Sequence, residues 1–166
     1  ADVADAPAVI KAMEGCDGCF HLAAIASVQR SNEDWLGTHR ANLTGSIAVF
    51  DAARRAKGGK PIPVVYASSA ATYGDAPDSP LTEASPTRPL TAYGADKLGS
   101  ELHARVAGYV HRTPTTGMRF FNVYGPRQDP KSPYSGVISI FADRVRAGQE
   151  ISIQGDGLQT RRSEEH

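Results

Sequence analysis

Residues 61 to 74 read Pro-Ile-Pro-Val-Val-Tyr-Ala-Ser-Ser-Ala-Ala-Thr-Tyr-Gly, and this stretch decides the predicted fold class. It opens with an apolar, β-branched run, which predicts a buried strand, and it ends in a cluster of hydroxyl side chains. In an open α/β sheet the ligand crevice lies outside the carboxyl ends of the strands. Ser68 and Ser69 are therefore candidate site residues, although a serine pair at a strand end can also simply cap a turn.

A proline-rich loop over residues 75 to 91 leads into Thr91-Ala-Tyr-Gly-Ala-Asp-Lys97, the start of a predicted helix. Tyr93 and Lys97 stand at positions i and i+4, which share one helix face. A neighbouring ammonium favours the phenolate and lowers the pKa of a phenol from its ordinary value of about 10. Tyr93 can then act as a general acid/base. The same spacing is also common on solvated helix faces, so the context has to decide between the two interpretations.

Strands and helices alternate along the rest of the chain. Strands are predicted at 18–24, 61–67, 116–122 and 151–153, and helices at 7–15, 32–57, 92–112 and 137–147. This alternation predicts an α/β fold with a parallel, doubly wound, Rossmann-like sheet. The run at 18–24 is apolar without alternation, so we expect a strand that is covered on both faces.

Composition argues against several classes of partner. The 18 basic and 18 acidic residues cancel, which leaves no electrostatic footprint for nucleic acid. The apolar runs are too short to cross a membrane, and we expect a cytoplasmic protein. Cys16 and Cys19 are expected to be reduced, structural thiols, because no second Cys/His pair offers the remaining ligands for a structural zinc.

A series of short motifs resembles, in content and order, the NAD-dependent sugar-nucleotide epimerase/dehydratase family of extended short-chain dehydrogenases/reductases. The motifs are Asp2-Val3, His21-Leu-Ala-Ala24, Asn42-x-x-Gly45, Ser68-Ser69-x-x-x-Tyr73-Gly74, Tyr93-x-x-x-Lys97, Arg119-Phe-Phe-Asn-Val-Tyr-Gly-Pro-Arg127 and Gly155-Asp-Gly-x-x-Thr-Arg161. The resemblance implies an NAD cofactor and a nucleotide-sugar substrate. It also implies a homodimer for the full-length protein.

The resemblance further assigns roles to individual residues. Catalysis would fall to Ser69, Tyr93 and Lys97. Cofactor binding would involve Asp2 and Val3 beside the adenine, then Leu22, Ala23, Ala24, Asn42, Tyr93 and Lys97. Substrate binding would involve Ser69, Asn122, Gly136, Val137 and Arg161. An always charged guanidinium such as that of Arg161 suits a diphosphate.

The family implies a reaction through a transient keto-sugar, and the residues after Ser69 bear on which reaction it is. A dehydratase would carry an Asp-Glu pair where this chain has Ala70 and Ala71, so 4,6-dehydration is disfavoured. The expectation is a UDP-hexose or UDP-N-acetylhexosamine 4-epimerase. A reductase, a decarboxylase or a dehydratase of the same family remains the alternative.

The resemblance also suggests that the chain is an internal fragment. No Gly-x-x-Gly-x-x-Gly turn is present to seat a pyrophosphate at a helix N-terminus. We therefore expect residues 1–126 to be a partial NAD-binding domain and residues 127–166 to begin a substrate-binding region. A catalytically inactive remnant that serves as an interaction module is the competing hypothesis.

Overall fold

The computed structural model describes residues 1–76, 80–132, 135–153, 155–158 and 163–165. These residues form two compact units, Ala1–Arg119 and Phe120–His166. The strands are β1 (Cys19–His21), β2 (Val64–Ser69), β3 (Thr115–Phe120), β4 (Asn122–Tyr124) and β5 (Ser163–Glu165). The α-helices are α1 (Ala6–Met13), α2 (Val28–Glu33), α3 (Trp35–His39), α4 (Gly45–Ala53), α5 (Ala92–His111) and α6 (Val137–Arg146). A π-helical turn spans Arg40–Thr44 and a 3-10 turn spans Ala70–Thr72.

The first unit is built on a sheet with the strand order β1-β2-β3. Strands β1 and β2 are parallel, with Cys19 opposite Val64 and His21 opposite Tyr66. The amide of Val64 donates to the carbonyl of Pro114, so β2 and β3 begin at the same edge of the sheet. The predicted parallel α/β class is confirmed, and the carboxyl ends of β1 and β2 share one edge.

The core lies between β2 and helices α4 and α5. The rings of Phe50 on α4 and Tyr66 on β2 meet edge to face, with centroids 5.5 Å apart and planes 82° apart, which is a favoured aromatic geometry. Small residues on α5, Ala104 and Ala107, let that helix approach the same cluster. The helix that carries Tyr93 and Lys97 is thereby packed against the strand that carries Ser68 and Ser69.

The parallel strand predicted over 18–24 is present but shorter, and the prediction that it is covered on both faces was wrong. Strand β1 contains only Cys19–His21, and it pairs with β2 along one side. Phe20 and Leu22 are 79% and 63% exposed, because they project into an open groove instead of the core. An apolar run alone does not distinguish a covered strand from one whose apolar face is open.

The predicted helix over 32–57 is interrupted. The carboxylate of Asp34 accepts the amide of Gly37, so Asp34 ends α2 and caps α3. In the following π-helical turn the amide of Gly45 donates to the carbonyl of Arg40, one residue further back than in an α-helix. Hydrogen bonds from asparagine and aspartate side chains to nearby backbone groups compete with a continuous helix, and for this reason the predicted helix is interrupted.

Two further strand predictions need correction. The strand predicted over 116–122 ends at Phe120, and Asn122 instead begins β4 in the second unit. There β4 pairs in parallel with β5, with Asn122 opposite Ser163. The described residues at 151–153 are not a strand. No helix among the described residues is both long enough and apolar enough to cross a membrane.

Candidate active site

The first turn of α5 brings Tyr93 to the end of β2. The Thr91 hydroxyl accepts the amide of Gly94 at 3.0 Å and caps the helix. A Cβ atom at Gly94 would lie 2.5 Å from the carbonyl oxygen of Ala71, so only glycine allows the helix to approach the turn after Ser69 this closely. The Tyr93 amide also donates to the hydroxyl of the fully buried Ser31, at 3.3 Å.

Lys97 is buried one turn further along α5. Its ammonium donates to the carbonyl of Ala67 on β2 at 2.8 Å and lies 5.8 Å from the centroid of the Tyr93 ring. Burial lowers the pKa of Lys97 to about 8, and the nearby Asp96 carboxylate partly opposes that shift. The lysine is therefore mostly charged at neutral pH, but at an energetic cost.

The half-buried Tyr93 is a protonated phenol at neutral pH in this structure. Burial raises the pKa of Tyr93 above its ordinary value, and the side-chain hydrogen bond with Ser69 acts in the opposite direction. The expectation that Lys97 lowers this pKa is not met here. The Lys97 ammonium bonds to the carbonyl of Ala67 and lies over the ring of Tyr93.

Ser69 stands where β2 ends and the 3-10 turn begins. Its Oγ accepts the amide of Ala71 at 3.1 Å, which caps that turn and leaves the hydroxyl hydrogen free to be donated. Ser69 therefore caps a turn and also lies beside Tyr93, while its role as a site residue stays a prediction. Ser69, Tyr93 and Lys97 are brought together within one unit of the fold.

Asn42 fixes the loop that follows β1. It is 1% exposed, and its side-chain amide both accepts from the Ile25 amide at 2.8 Å and donates to the Ile25 carbonyl at 3.2 Å. Asn42 therefore holds the loop that follows β1, and its role in cofactor binding stays a prediction. Gly45 is the last residue of the Asn42-x-x-Gly45 motif. A Cβ atom at this position would lie 2.6 Å from the side chain of Val3, so glycine is needed for this close approach.

Several predicted cofactor residues meet in one groove. Val3, Leu22 and Ala23 line an open, largely apolar cavity of about 260 Å³ between α1 and β1. Ala24 follows in the same loop, and Asp2 precedes Val3. The Asp2 carboxylate is exposed, forms an ion pair with Arg40 at 3.1 Å and accepts the amide of Ala4.

The predicted substrate residues other than Ser69 belong to the second unit. Asn122 is the first residue of β4, Gly136 is the N-cap of α6, and Val137 is its first residue. Arg161 lies outside the described residues. Their role in binding a substrate stays a prediction.

Sequence reasoning missed a polar cluster next to Ser69. Glu101 accepts two bonds from Arg119, at 2.8 and 2.7 Å, and a third from the hydroxyl of Ser68 at 2.5 Å. The signal was present, because Tyr93, Lys97 and Glu101 follow one another at four-residue intervals on one face of α5.

A second missed contact joins α3 to α5. The Nδ1 atom of His39 lies 2.7 Å from a carboxylate oxygen of Asp96, which is 4% exposed. The other oxygen of Asp96 is buried and has no hydrogen-bond partner among the described residues. A buried carboxylate beside Lys97 is thus held in place by a histidine that the sequence did not single out.

His21 is buried and hydrogen-bonded within the fold. Its Nε2 atom lies 3.0 Å from the hydroxyl of Ser46, which itself donates to the carbonyl of Asn42 at 2.6 Å. Burial, and secondarily the charge of Lys97, lowers the pKa of His21 to about 4. The imidazole is therefore neutral at physiological pH, and it donates to Ser46.

A parallel α/β sheet with serine at a strand end, beside tyrosine and lysine on the next helix, defines the chain as a Rossmann-like protein of the short-chain dehydrogenase/reductase type. The family model described as "NAD dependent epimerase/dehydratase family" matches residues 1–162. The chain belongs to this family.

Relatives and solved structures agree with this assignment. The chain is 37% identical over 143 residues to a UDP-glucose 4-epimerase of Mycolicibacterium smegmatis, covering 86% of the chain and 44% of the relative. It is 32% identical over 160 residues to a dTDP-glucose 4,6-dehydratase of Streptomyces antibioticus, covering 96% and 46%. The chain thus spans less than half the length of these relatives. A UDP-N-acetylglucosamine 4-epimerase structure from Methanobrevibacter ruminantium, in complex with UDP-N-acetylmuramic acid, superimposes with a TM-score of 0.91 at 34% identity, over 99% of this chain and 52% of that one.

Proposed function

We propose that the protein carrying this chain epimerises a nucleotide sugar, of the UDP-hexose or UDP-N-acetylhexosamine 4-epimerase type, through a transient keto-sugar. The observation that carries the proposal is the convergence of Ser69, Tyr93 and Lys97 where β2 ends and α5 begins. The family assignment and the epimerases among the relatives support the same reaction.

In this proposal Tyr93 moves the proton and Ser69 orients the reacting oxygen. Tyr93 takes the proton from a sugar hydroxyl as the keto-sugar forms and returns it when the hydroxyl is restored on the opposite face. Without substrate, the single hydroxyl hydrogen of Ser69 is directed at Tyr93 and favours its ionised form; in the substrate complex it would be donated to the reacting sugar oxygen. NAD, when bound, supplies the acceptor and donor of hydride, and its positive ring favours ionised Tyr93.

The described residues fit such a cofactor. The apolar groove lined by Val3, Leu22 and Ala23 offers a surface for a flat ring, and the small side chain of Ala24 lets a ligand approach the backbone. Asn42 holds the loop between them through Ile25. Asp2 would border the adenine, and Tyr93 and Lys97 would lie at the nicotinamide end.

Epimerisation is favoured over dehydration by the turn after Ser69. Ala70 and Ala71 occupy the 3-10 turn, and the Ala71 amide donates to the hydroxyl oxygen of Ser69, which caps the turn. Methyl side chains cannot transfer the protons that elimination of water from a keto-sugar requires. Dehydration remains the second candidate, because dTDP-glucose 4,6-dehydratases are among the relatives.

A homodimer is proposed on an apolar stripe of α5. The stripe consists of Leu102, Val106, Tyr109 and Val110, all exposed. Their spacing places them on one helix face, and such exposed apolar patches mark interfaces.

A cytoplasmic location is proposed as well, consistent with Cys16 and Cys19 as free thiols.

Replacement of Tyr93 tests the reaction. In the whole protein, Tyr93→Phe keeps the ring and removes the proton-transfer atom, so turnover of UDP-hexoses falls by about 100- to 10,000-fold while binding survives. Thr116→Val, which removes an exposed hydroxyl from β3, is the control and leaves turnover unchanged. Wild-type turnover in Tyr93→Phe would refute the assigned role, and release of a 4-keto-6-deoxy sugar would favour dehydration.

A further inference from the structure

Helix α5 is hydrogen-bonded to two consecutive residues of β2 and reaches the third. The Lys97 ammonium bonds the carbonyl of Ala67, and the Glu101 carboxylate accepts the hydroxyl of Ser68. Next in the strand is Ser69, whose hydroxyl lies near enough to Tyr93 to act against the rise in its pKa. The link through Ser68 thus lies directly beside the pair to which the proposed chemistry belongs.

Ser68 and Ser69 leave the strand on opposite faces, because side chains alternate along a β-strand. The burial pattern agrees, since Ser68 is buried and Ser69 is half-buried. Rotation of the strand end about its own axis would therefore move both side chains together. Fixing the Ser68 hydroxyl on one face fixes the direction of the Ser69 hydroxyl on the other.

Glu101 is a suitable anchor for Ser68 because it is itself held rigidly. The Arg119 guanidinium donates two parallel hydrogen bonds to the Glu101 carboxylate, which is the strongest geometry for an arginine–carboxylate pair. Arg119 in turn stacks on the ring of Tyr73, 4.7 Å from the ring centroid. Burial raises the pKa of Glu101, but the bonds from Arg119 and Ser68 outweigh it and hold the pKa below its ordinary value. Glu101 is thus an ionised acceptor.

We propose that Ser68, Glu101 and Arg119 form a clamp that positions Ser69 against Tyr93. The inference rests on the function proposed above for its catalytic consequence, but the clamp itself is a statement about this chain. Ser68 and Glu101 are positioning residues. A misplacement of about 1 Å at a reacting group can cost about 100-fold in rate, so such a clamp matters for turnover.

A double-mutant cycle on the chain itself tests the clamp. The free energy of unfolding in urea is measured for Ser69→Ala, Tyr93→Phe and the double variant. The coupling free energy is the destabilisation of the double variant minus the sum of the two single destabilisations. The cycle is then repeated in a Ser68→Ala background. This substitution removes one hydroxyl and leaves the Arg119–Glu101 pair intact, so the fold is retained.

Thr115→Val is the matched background. It also removes a hydroxyl that ties the sheet to α5, through a 3.3 Å bond to the carbonyl of Ala104, but at the start of β3, away from the carboxyl ends of the strands. The coupling should be present in the wild type and in Thr115→Val and should vanish in Ser68→Ala. Coupling that persists in Ser68→Ala, or that is absent from the wild type, overturns the clamp.

Kinetics of the whole protein separate the clamp from the proposed function. Ser68→Ala should lower kcat by about 10- to 100-fold with KM nearly unchanged, whereas Thr115→Val should leave both unchanged. Unchanged kcat in Ser68→Ala would overturn the clamp. A wild-type protein that epimerises no nucleotide sugar, while Ser68→Ala still abolishes the coupling, would refute the proposed function and leave the clamp standing.

Discussion

The ammonium of Lys97 donates to the carbonyl oxygen of Ala67 at 2.8 Å, and Lys97 is only 5% exposed. A single carbonyl compensates part of the hydration that the charged group loses on folding. Burial accordingly lowers the pKa of Lys97 from 10.5 to about 8. The buried charge of Lys97 therefore destabilises the folded state.

Lys97→Met should stabilise the chain at pH 7. The fall in pKa from 10.5 to about 8 means that the buried charge destabilises the folded state by about 3 kcal/mol. Methionine removes this destabilisation but also loses the bond to Ala67, which contributes about 1 kcal/mol. Between pH 8 and 10.5 the unfolded wild type binds more protons than the folded one, so its stability rises with pH and the advantage of Lys97→Met narrows. Urea unfolding across this range measures the difference.

The control for this series is Lys11→Met, at an exposed position of α1. It should change stability by less than about 0.5 kcal/mol at each pH. A stability difference between Lys97→Met and wild type that stays constant from pH 7 to 10.5 would contradict the burial argument.

Asp96→Asn should lower the pKa of Lys97 further. The Asp96 carboxylate opposes the effect of burial on Lys97, and the amide keeps its size while removing its charge. Titration of the lysine 13Cε resonances by NMR follows Lys97 directly, with Lys97→Arg for assignment. Glu14→Gln removes an exposed charge and should leave the midpoint in place. A midpoint that stays put or moves to higher pH in Asp96→Asn would argue against this electrostatic support.

Gly94→Ala and Gly108→Ala should have opposite effects although both lie on α5. At Gly94 the new methyl would lie 2.5 Å from the backbone oxygen of Ala71, which should cost about 1 to 3 kcal/mol. At Gly108 the nearest atom would be 3.6 Å away, so the higher helix propensity of alanine should stabilise the chain by about 0.5 to 1 kcal/mol. Thermal and urea unfolding of the two variants decide the point, and equal effects would show that the close approach at Ala71 is absent in solution.

Asn42→Ala should destabilise the chain by about 1 to 3 kcal/mol, because both backbone groups of Ile25 lose their partner. Hydrogen exchange should show that the Ile25 amide loses its protection. Asn32→Ala, at an exposed position of α2, should stay within about 0.5 kcal/mol. Retained protection at Ile25 in Asn42→Ala would mean that the loop is held by something else.

The sequence by itself determined the class of fold and the position of the candidate site. Alternating strand and helix patterns predicted the parallel sheet, and hydroxyl side chains marked the end of β2. The spacing of Tyr93 and Lys97 predicted one helix face, and α5 extends from Ala92 to His111 against a predicted 92–112. These features are local, since they depend on periodicity and on the residues that begin or end an element.

The tertiary structure alone decided what each side chain contacts. Lys97 bonds the carbonyl of Ala67 and lies over the Tyr93 ring, and burial of the phenol raises the pKa of Tyr93. The bond between Ser68 and Glu101 joins residues 33 positions apart, and no local pattern encodes such a contact. Exposure of Phe20 likewise follows from which elements cover β1. Desolvation and long-range hydrogen bonds depend on how the elements pack, and for that reason sequence periodicity could not supply them.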